Sequence, residues 1–363
     1  MSGLVVSRFG LATPLGLSAA ATQAAVAAGL SWFRETQTIG RGNEPIRAAW
    51  LPALPPETSR VERVLFFARR AIAECTAGLD DVVRSLPVFM ALPEVGHGAP
   101  LVATDLSYPL AQGATPRLDF SARAVLAGRA GFLLALDAAR TAIVEQRTEA
   151  AIVAGFDSYC DPASLDLLGS ANRTLGPENP DGLIPGEGAG ALLLSTPAFA
   201  LRARLPALLR LNAIAAADDS RPFRKRSAMQ GHALNHVFHQ LRAADPGRAD
   251  ALFSCQTGEG FWSRELSVVS LRNGPLMPEP RREYLLSRSL GDTGAAACPI
   301  QLAVLVHLHS RVWRRGQKLE RALIYGASDA GRVAACTVSV LRSAARSGAS
   351  GSSPPGPEGG IDG

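Results

Sequence analysis

The chain alternates short apolar runs with segments in which apolar and polar residues recur at helical spacing. Ala150–Gly155 and Ala322–Gly326 are almost wholly apolar and each ends at a glycine, so each predicts a buried strand. The segment Phe132–Arg140 predicts a helix that leads into the first of these strands. This alternation of strands and helices is typical of βαβ units in an α/β fold.

The same order of elements occurs twice along the chain. In each half a helix opens with G-x-x-G, at Gly128–Gly131 and again at Gly291–Gly294. Each half closes with a glycine followed by an apolar strand, Gly190–Ser195 in the first and Gly331–Val338 in the second. The repeat predicts two stacked sheet halves whose G-x-x-G helices meet in the middle. The loops at the strand ends then face a shared crevice, where open α/β sheets usually bind ligands.

These elements divide the chain into two halves and a tail. We expect an N-terminal half over residues 1–200 and a C-terminal half over residues 201–342. Residues 343–363 are rich in Ser, Gly and Pro, which predicts a disordered tail.

Composition narrows the class of protein. Of the 363 residues 47% are hydrophobic, which allows a sizeable core, and the formal net charge is only +5. Lys225 and Lys318 are the only lysines, which argues against Schiff-base chemistry. No basic stripe is interleaved with aromatic residues, so nucleic acid is not an expected partner. The basic run Arg221–Arg226 is expected to be a solvated loop, with a phosphate group or an acidic partner as the alternative.

Cysteine and histidine spacing gives no cofactor or metal site. The five cysteines have no paired spacing, so we expect a reduced, cytoplasmic protein without disulfides or a zinc knuckle. His232, His236 and His239 share a helical face, which is expected to be solvent-exposed rather than metal-binding. His97 lies in a glycine-rich loop that could reach the crevice, although a solvated loop is favoured. The apolar N-terminal region is interrupted by Pro14 and polar residues, so neither a signal peptide nor a membrane span is expected.

Gly128 occupies a position with special chemical value. A side chain at the first residue of a helix feels the positive end of the helix macrodipole, which lowers a thiol's pKa and favours the thiolate. Glycine places no side chain there.

Several ordered segments carry a family resemblance. Asp181–Gly190 reads DGLIPGEGAG, Ala154–Ser158 reads AGFDS and Thr13–Gly16 reads TPLG. These segments resemble the β-ketoacyl synthases of the thiolase fold, and the resemblance extends over about residues 3–340. It implies an α/β fold with α/β/α/β/α layers made of two duplicated halves. It also implies a homodimer in which the first-half sheets pair across a two-fold axis.

The resemblance also assigns positions to the chemistry. The family's nucleophilic cysteine corresponds to Gly128, and its two histidines correspond to Cys255 and Asp292. Glu187 falls in the G-E-G-A-G segment and is expected to be structural. The other residues expected at the crevice are Arg129, Thr257, Glu259, Ser328 and Asp329.

These replacements argue against the family's condensation reaction. Decarboxylative condensation needs a thiolate to hold the acyl chain and two neutral imidazoles that donate hydrogen bonds to the developing enolate. An ionised Asp292 would oppose the enolate, and Cys255 is a weak donor. Loss of one such donor typically slows a reaction by about 100- to 1000-fold.

Three functions stay open at this stage. The first is a β-ketoacyl synthase-like protein of fatty-acid or polyketide-type acyl metabolism, divergent or inactive in condensation. The second is a non-catalytic partner that binds an acyl chain or a carrier protein, comparable to the chain-length factors of some ketosynthases. The third is an acyl transferase or hydrolase that uses Cys255. Expected partners are acyl carrier protein or an acyl thioester, with a homodimer or a heterodimer with a ketosynthase.

Two interpretations of Cys255 follow from its place at the end of a predicted strand. It is a relocated nucleophile with Asp292 or Glu259 as its base, or it is a small buried hydrophobic residue. Asp292, Asp329 and Glu259 are further expected to converge with Arg129 and Arg332 in a polar cluster that replaces a thioester site. 

Overall fold

The protein is described by a computed structural model that covers residues 3–96, 98–220, 222–223, 230–313 and 318–341. His97, the predicted tail 343–363 and the basic run 221–226, apart from Pro222 and Phe223, lie outside the described residues. Strands are β1 (Val5–Ala12), β2 (Arg34–Ile39), β3 (Pro45–Ala48), β4 (Ser85–Leu92), β5 (Arg117–Asp119), β6 (Val125–Leu126), β7 (Ala150–Ser158), β8 (Glu187–Ser195), β9 (Leu209–Asp218), β10 (Ala251–Ser254), β11 (Glu283–Leu285), β12 (Arg321–Ala327) and β13 (Arg332–Val340). Helices are α1 (Ala19–Ala27), α2 (Arg60–Thr76), α3 (Ala103–Ala111), α4 (Gly128–Val144), α5 (Pro162–Ser170), α6 (Pro197–Arg202), α7 (His232–Ala244), α8 (Gly260–Arg272), α9 (Ser287–Leu290) and α10 (Ala297–Trp313).

One large sheet runs through both halves of the chain. Its strand order is β11-β10-β12-β13-β9-β1-β8-β7-β4-β5, with β6 also beside β4. Among the described strands, the sheet passes from one half to the other where β1 pairs with β9, through Val5↔Arg210 and Val6↔Leu209. Within each half, parallel strands lie at the outer end and antiparallel strands lie near the junction. The two halves therefore repeat one topology, as the repeated order of elements predicts.

The helices and half-sheets form five layers. The central core contains apolar side chains of α4 and α10 and one face of both half-sheets. The opposite face of the first half-sheet packs on α2, and that of the second packs on α7 and α8. Strands β7 and β8 are buried along their full length, which explains their nearly continuous apolar sequence. The layers are therefore α/β/α/β/α. The boundary between the two halves near residue 200 stays a prediction. In the sequence, α6 lies between β8, the last strand of the first half, and β9, the first strand of the second.

Two glycines allow the halves to approach closely. A Cβ atom on Gly155 in β7 would lie 2.2 Å from the carbonyl oxygen of Ala295, which belongs to the second half. A Cβ atom on Gly326 in β12 would lie 2.0 Å from the carbonyl oxygen of Arg129, which belongs to the first half. The contacts are reciprocal, because the strand glycine of each half receives the helix-opening segment of the other.

Across the described residues, no helix is both long enough and apolar enough to cross a membrane.

Candidate functional site

Helix α4 begins at the predicted nucleophile position, next to a buried carboxylate. Gly128 has a φ of +47°, a left-handed conformation that disfavours a side chain. A Cβ atom at this position would nevertheless have room, because its nearest neighbour, Cγ of Glu94, would be 3.5 Å away. A side chain at position 128 would therefore be strained by the backbone conformation and not by crowding.

Arg129, the next residue, donates a hydrogen bond from each of its three guanidinium nitrogens. Nε donates to the carbonyl oxygen of Ala327 at 3.0 Å and Nη1 donates to Asp292 Oδ2 at 2.6 Å, while Nη2 donates to Asp329 Oδ1. The guanidinium carbon also lies 4.9 Å from the ring centroid of Trp262. Burial alone would lower the pKa of Arg129, but the two carboxylates outweigh it and raise this pKa well above its usual value. Arg129 is therefore a permanent buried cation.

A second arginine extends the arrangement. Arg173 donates from Nε and Nη2 to the two carboxylate oxygens of Glu259, each at 2.8 Å, and from Nη1 to Asp329. Burial would lower the pKa of Arg173, yet hydrogen bonding to Glu259 and the charge of Asp329 raise it overall. Asp329, with no exposed surface, bridges the two arginines. We call Arg129, Arg173, Glu259, Asp292 and Asp329 the arginine–carboxylate cluster.

The cluster links the two halves of the fold by charge. Both arginines come from the first half, and all three carboxylates come from the second. A further cross-half contact lies beside it, where Glu94 accepts hydrogen bonds from the backbone N–H groups of Asp329 at 3.0 Å and Ala330 at 3.1 Å. The crevice between the halves is thus occupied by the chain's own charged side chains.

Neighbouring groups complete the hydrogen bonding of the cluster. Glu259 also accepts from the Thr257 hydroxyl at 2.9 Å and from Trp262 Nε1 at 3.3 Å. Asp292 also accepts from the backbone N–H of Gly294 at 3.0 Å. Ser328 orders the adjacent turn, because its hydroxyl accepts from the N–H of Arg332 at 3.0 Å.

Cys255 lies close to the cluster but has the properties of a core residue. Only 7% of its surface is exposed, and it belongs to the apolar cluster around α7 and α8. Its sulfur accepts a hydrogen bond from the backbone N–H of Ala327 at 3.2 Å. Burial raises the pKa of Cys255 to about 12, although Arg129 acts in the opposite direction. Its candidate bases, Asp292 and Glu259, are both paired with arginine. This geometry favours the interpretation of Cys255 as a small buried hydrophobic residue.

A thiol count tests this placement. All five cysteines are free and buried, so the native protein at pH 8 should release much less than one equivalent of thionitrobenzoate from Ellman's reagent. The same protein in guanidinium chloride should release five equivalents. Fast release of one equivalent from the native protein, lost in Cys255→Ser, would instead make Cys255 an accessible thiol.

Other predicted residues lie apart from the cluster. Glu187 accepts from the N–H of Leu51 and the hydroxyl of Ser158, both at 2.8 Å, and pairs with Arg63 at 3.3 Å. Burial raises the pKa of Glu187, and Arg63 opposes that change. Since every one of these partners belongs to the scaffold, the contacts of Glu187 are those of a structural residue.

The expected position of Arg332 in the polar cluster is wrong, and the three histidines of α7 lie on the surface. Arg332 does not join the cluster but pairs with Asp218 at 2.7 Å on an exposed strand end. The register of the sheet accounts for this, because Arg332 lies opposite Asp218 in the antiparallel pair of β13 and β9. His232, His236 and His239 are exposed on α7, and the described residues contain no group of side chains suited to a metal ion.

Three residues of the site carry no sequence signal of their own. Arg173 follows α5 in an irregular stretch, Glu94 follows β4, and Trp262 lies on the inner face of α8. Their partners are distant in sequence; Arg173 and Asp329, for example, are 156 positions apart.

Comparisons with known proteins agree with this architecture. Residues 125–200, which include α4, β7 and β8, match the family described as beta-ketoacyl synthase, N-terminal domain. No protein with a curated description matches the chain.

Solved ketosynthases share the fold over nearly the whole chain. The oxazolomycin ketosynthase domain of Streptomyces albus JA3453 is 14% identical with a TM-score of 0.76, over 96% of this chain and 76% of that one. The ketosynthase from module 6 of the bacillaene synthase of Bacillus subtilis 168 is 14% identical with a TM-score of 0.70, over 94% and 72%. The ishigamide ketosynthase/chain length factor is 18% identical with a TM-score of 0.66, over 94% and 100%. The predicted resemblance and the predicted fold class are confirmed.

Proposed function

Because this chain has the thiolase-like fold of the ketosynthases, we propose that it is a ketosynthase-like protein of acyl metabolism that does not catalyse condensation. The observation that carries this proposal is the arginine–carboxylate cluster. It puts a buried, paired arginine next to Gly128 and a buried, paired carboxylate at Asp292, whereas condensation would need a nucleophile at the first position and a neutral hydrogen-bond donor at the second.

The electrostatics of the cluster oppose acyl-thioester chemistry. A reaction that used the guanidinium of Arg129 or the carboxylate of Asp329 or Asp292 would have to separate it from a buried partner. Breaking a buried ion pair by removing one member typically costs about 3–5 kcal/mol, since the other charge is left without compensation. The carboxylates of Asp292 and Glu259 are held by arginines, so neither is available as a base.

A non-catalytic partner role is the second candidate. One of the similar structures is a ketosynthase/chain length factor, and another is a type II polyketide synthase acyl-carrier protein in complex with its ketosynthase. A chain of the same fold, with the arginine–carboxylate cluster in place of a reaction centre, is suited to bind a carrier protein or to pair with a condensing ketosynthase. A homodimer of this chain is the alternative assembly.

An acyl-loading experiment tests the loss of condensation. The protein is incubated with acyl carrier protein thioesters of two and eight carbons and analysed by intact mass. We expect no acyl adduct on any of the five cysteines and no condensation product with malonyl carrier protein. A ketosynthase with its active-site cysteine, treated in parallel, should acquire one acyl group.

Each other outcome identifies a different function. A condensation product would overturn the proposal outright. An adduct that disappears in Cys255→Ser would instead identify an acyl transferase or hydrolase that uses Cys255. If no adduct forms, sedimentation of the chain with acyl carrier protein and with a condensing ketosynthase decides whether it has a partner role.

A further inference from the structure

Glu94 provides the atoms that lie closest to Gly128 from outside helix α4. A Cβ atom at position 128 would lie 3.5 Å from Cγ, 3.7 Å from the backbone nitrogen and 3.8 Å from Cβ of Glu94. Glu94 follows β4 by two residues and is only 5% exposed. Its side chain therefore runs past the first residue of α4 and into the crevice between the halves.

The carboxylate of Glu94 ends on two successive backbone N–H groups of the second half. Oε1 accepts from the N–H of Asp329 at 3.0 Å, and Oε2 accepts from the N–H of Ala330 at 3.1 Å. Successive backbone N–H groups that converge in this way form an anion-binding concavity. We call these two N–H groups the 329–330 donor pair. Because Glu94 belongs to the first half, the packing of the halves brings the carboxylate to the donor pair.

The turn that carries the donor pair is held in shape by contacts other than Glu94. The N–H of Ser328 donates to the carbonyl oxygen of Arg332 at 2.8 Å, and the N–H of Gly331 donates to the carbonyl oxygen of Ser328 at 3.0 Å. The side chain of Asp329 is held by both arginines of the arginine–carboxylate cluster. The donor pair is thus preorganised for a carboxylate, whichever molecule supplies it.

The donor pair lies at the boundary between the interior and solvent. Asp329 is fully buried, whereas its neighbour Ala330 is exposed. A small ligand can therefore approach from the side of Ala330 once the end of the Glu94 side chain is removed.

We propose that the 329–330 donor pair is a carboxylate-binding site and that Glu94 is its built-in ligand, which keeps other carboxylates out. Shortening Glu94 to alanine removes Cγ and the carboxyl group, which together have the size of one acetate ion. The site should therefore take small monocarboxylates such as formate and acetate, through charge-assisted hydrogen bonds from the backbone. The inference does not depend on the proposed function, because it concerns only the contact of Glu94 with the turn.

Thermal unfolding of Glu94→Ala in the presence of small carboxylates tests the proposal. The variant is titrated at pH 7 with sodium formate and with sodium acetate, and sodium chloride keeps the ionic strength constant. Without ligand it should unfold at a lower temperature than the wild type, because two backbone donors have lost their acceptor. Each carboxylate should raise its unfolding temperature by about 2–4 °C once the ligand is well above its dissociation constant. The wild type, whose site is occupied, should not respond.

Three controls separate the site from general effects of salt and of a new cavity. Acetamide, which has the shape of acetate without its charge, should leave Glu94→Ala unchanged. Glu94→Gln keeps a side chain of the same size in the site, so it should not respond to carboxylates. It should nevertheless unfold below the wild type, because an amide N–H₂ group replaces one of the two acceptor oxygens. Glu57→Ala, at an exposed position, should behave as the wild type.

A crystal structure of Glu94→Ala grown in formate locates the ligand, which should accept from the N–H groups of residues 329 and 330. The proposal would be overturned if Glu94→Ala did not respond to carboxylates, if acetamide acted equally well, or if formate bound elsewhere. If Glu94→Ala does not fold, the comparison of Glu94→Gln with the wild type decides. Equal unfolding temperatures for these two proteins would also overturn the proposal.

Discussion

Replacing Arg129 by alanine should destabilise the folded protein by about 3–5 kcal/mol, because Asp292 and Asp329 would remain buried without their shared cation. The loss is expected to be large, since all three side chains are at most 3% exposed and the guanidinium also lies against Trp262. Urea-induced unfolding at pH 7, followed by circular dichroism, measures the free energy of unfolding. The expected result is a lower midpoint with an unchanged slope.

Arg140→Ala is the matched control for this prediction. Arg140 lies on the same helix and pairs with Asp137 at 2.7 Å, but its side chain and that of Asp137 are 39% and 43% exposed. Solvent screening limits such a surface pair to about 0–1 kcal/mol. If Arg129→Ala cost no more than Arg140→Ala, the cluster would not be an electrostatic connection between the halves.

Gly326→Ala and Gly155→Ala should each destabilise the protein by about 3 kcal/mol, at the upper end of the usual cost of overpacking a core. Each new methyl group would meet a backbone carbonyl oxygen of the other half, at 2.0 Å for Gly326 and 2.2 Å for Gly155. Backbone atoms cannot rotate away as a flexible side chain can, so the halves themselves must separate. Differential scanning calorimetry should show a lower unfolding temperature for both variants.

Gly176→Ala separates this effect from the general consequence of removing a glycine. A Cβ atom on Gly176 would meet nothing within 4 Å, and its φ is not in the left-handed range. Its replacement should leave stability within about 0.5 kcal/mol of the wild type, as for ordinary surface changes. Equal unfolding temperatures for Gly176→Ala and Gly326→Ala would show that the halves do not depend on the close contact.

The fold could be predicted from sequence because its signals are local. The apolar runs of β7 and β12 and the G-x-x-G opening of α4 each lie within a few residues. The predicted strand ends are wrong, because β7 continues past Gly155 to Ser158 and β12 past Gly326 to Ala327, and α10 begins at Ala297, after the second G-x-x-G. The repetition of these signals supplied the long-range information that single elements lack, namely that two similar units stack with their central helices together. The sequence did not predict that one continuous sheet passes through β1 and β9, because this pairing consists of two residue pairs.

The candidate site was predictable only in part. Four residues of the cluster lie at or next to motif positions, and the motifs alone predict that they meet at one crevice: Arg129, Asp292, Asp329 and Glu259. Arg173 and Glu94 belong to irregular segments whose course depends on the packing of both halves, and no spacing rule connects them to Asp329. The prediction for Arg332 was wrong for a different reason. Arg332 is close to Asp329 in sequence, but this does not determine the side of the strand on which its side chain lies.

The shared ion pairs of the cluster also restrict the mutational paths that lead into or out of this sequence. Each carboxylate is the counterion of an arginine that also serves another acid, so a single neutral substitution at Asp292, Asp329 or Arg129 alters the net charge of a closed compartment. Placing a cysteine at 128 with histidines at 255 and 292 would leave Arg129 and Arg173 with two carboxylates, Asp329 and Glu259, so both arginines would still be paired. Loss of Arg129 before that change would instead leave Asp292 buried without its cation, so the order of substitutions matters as much as their identity.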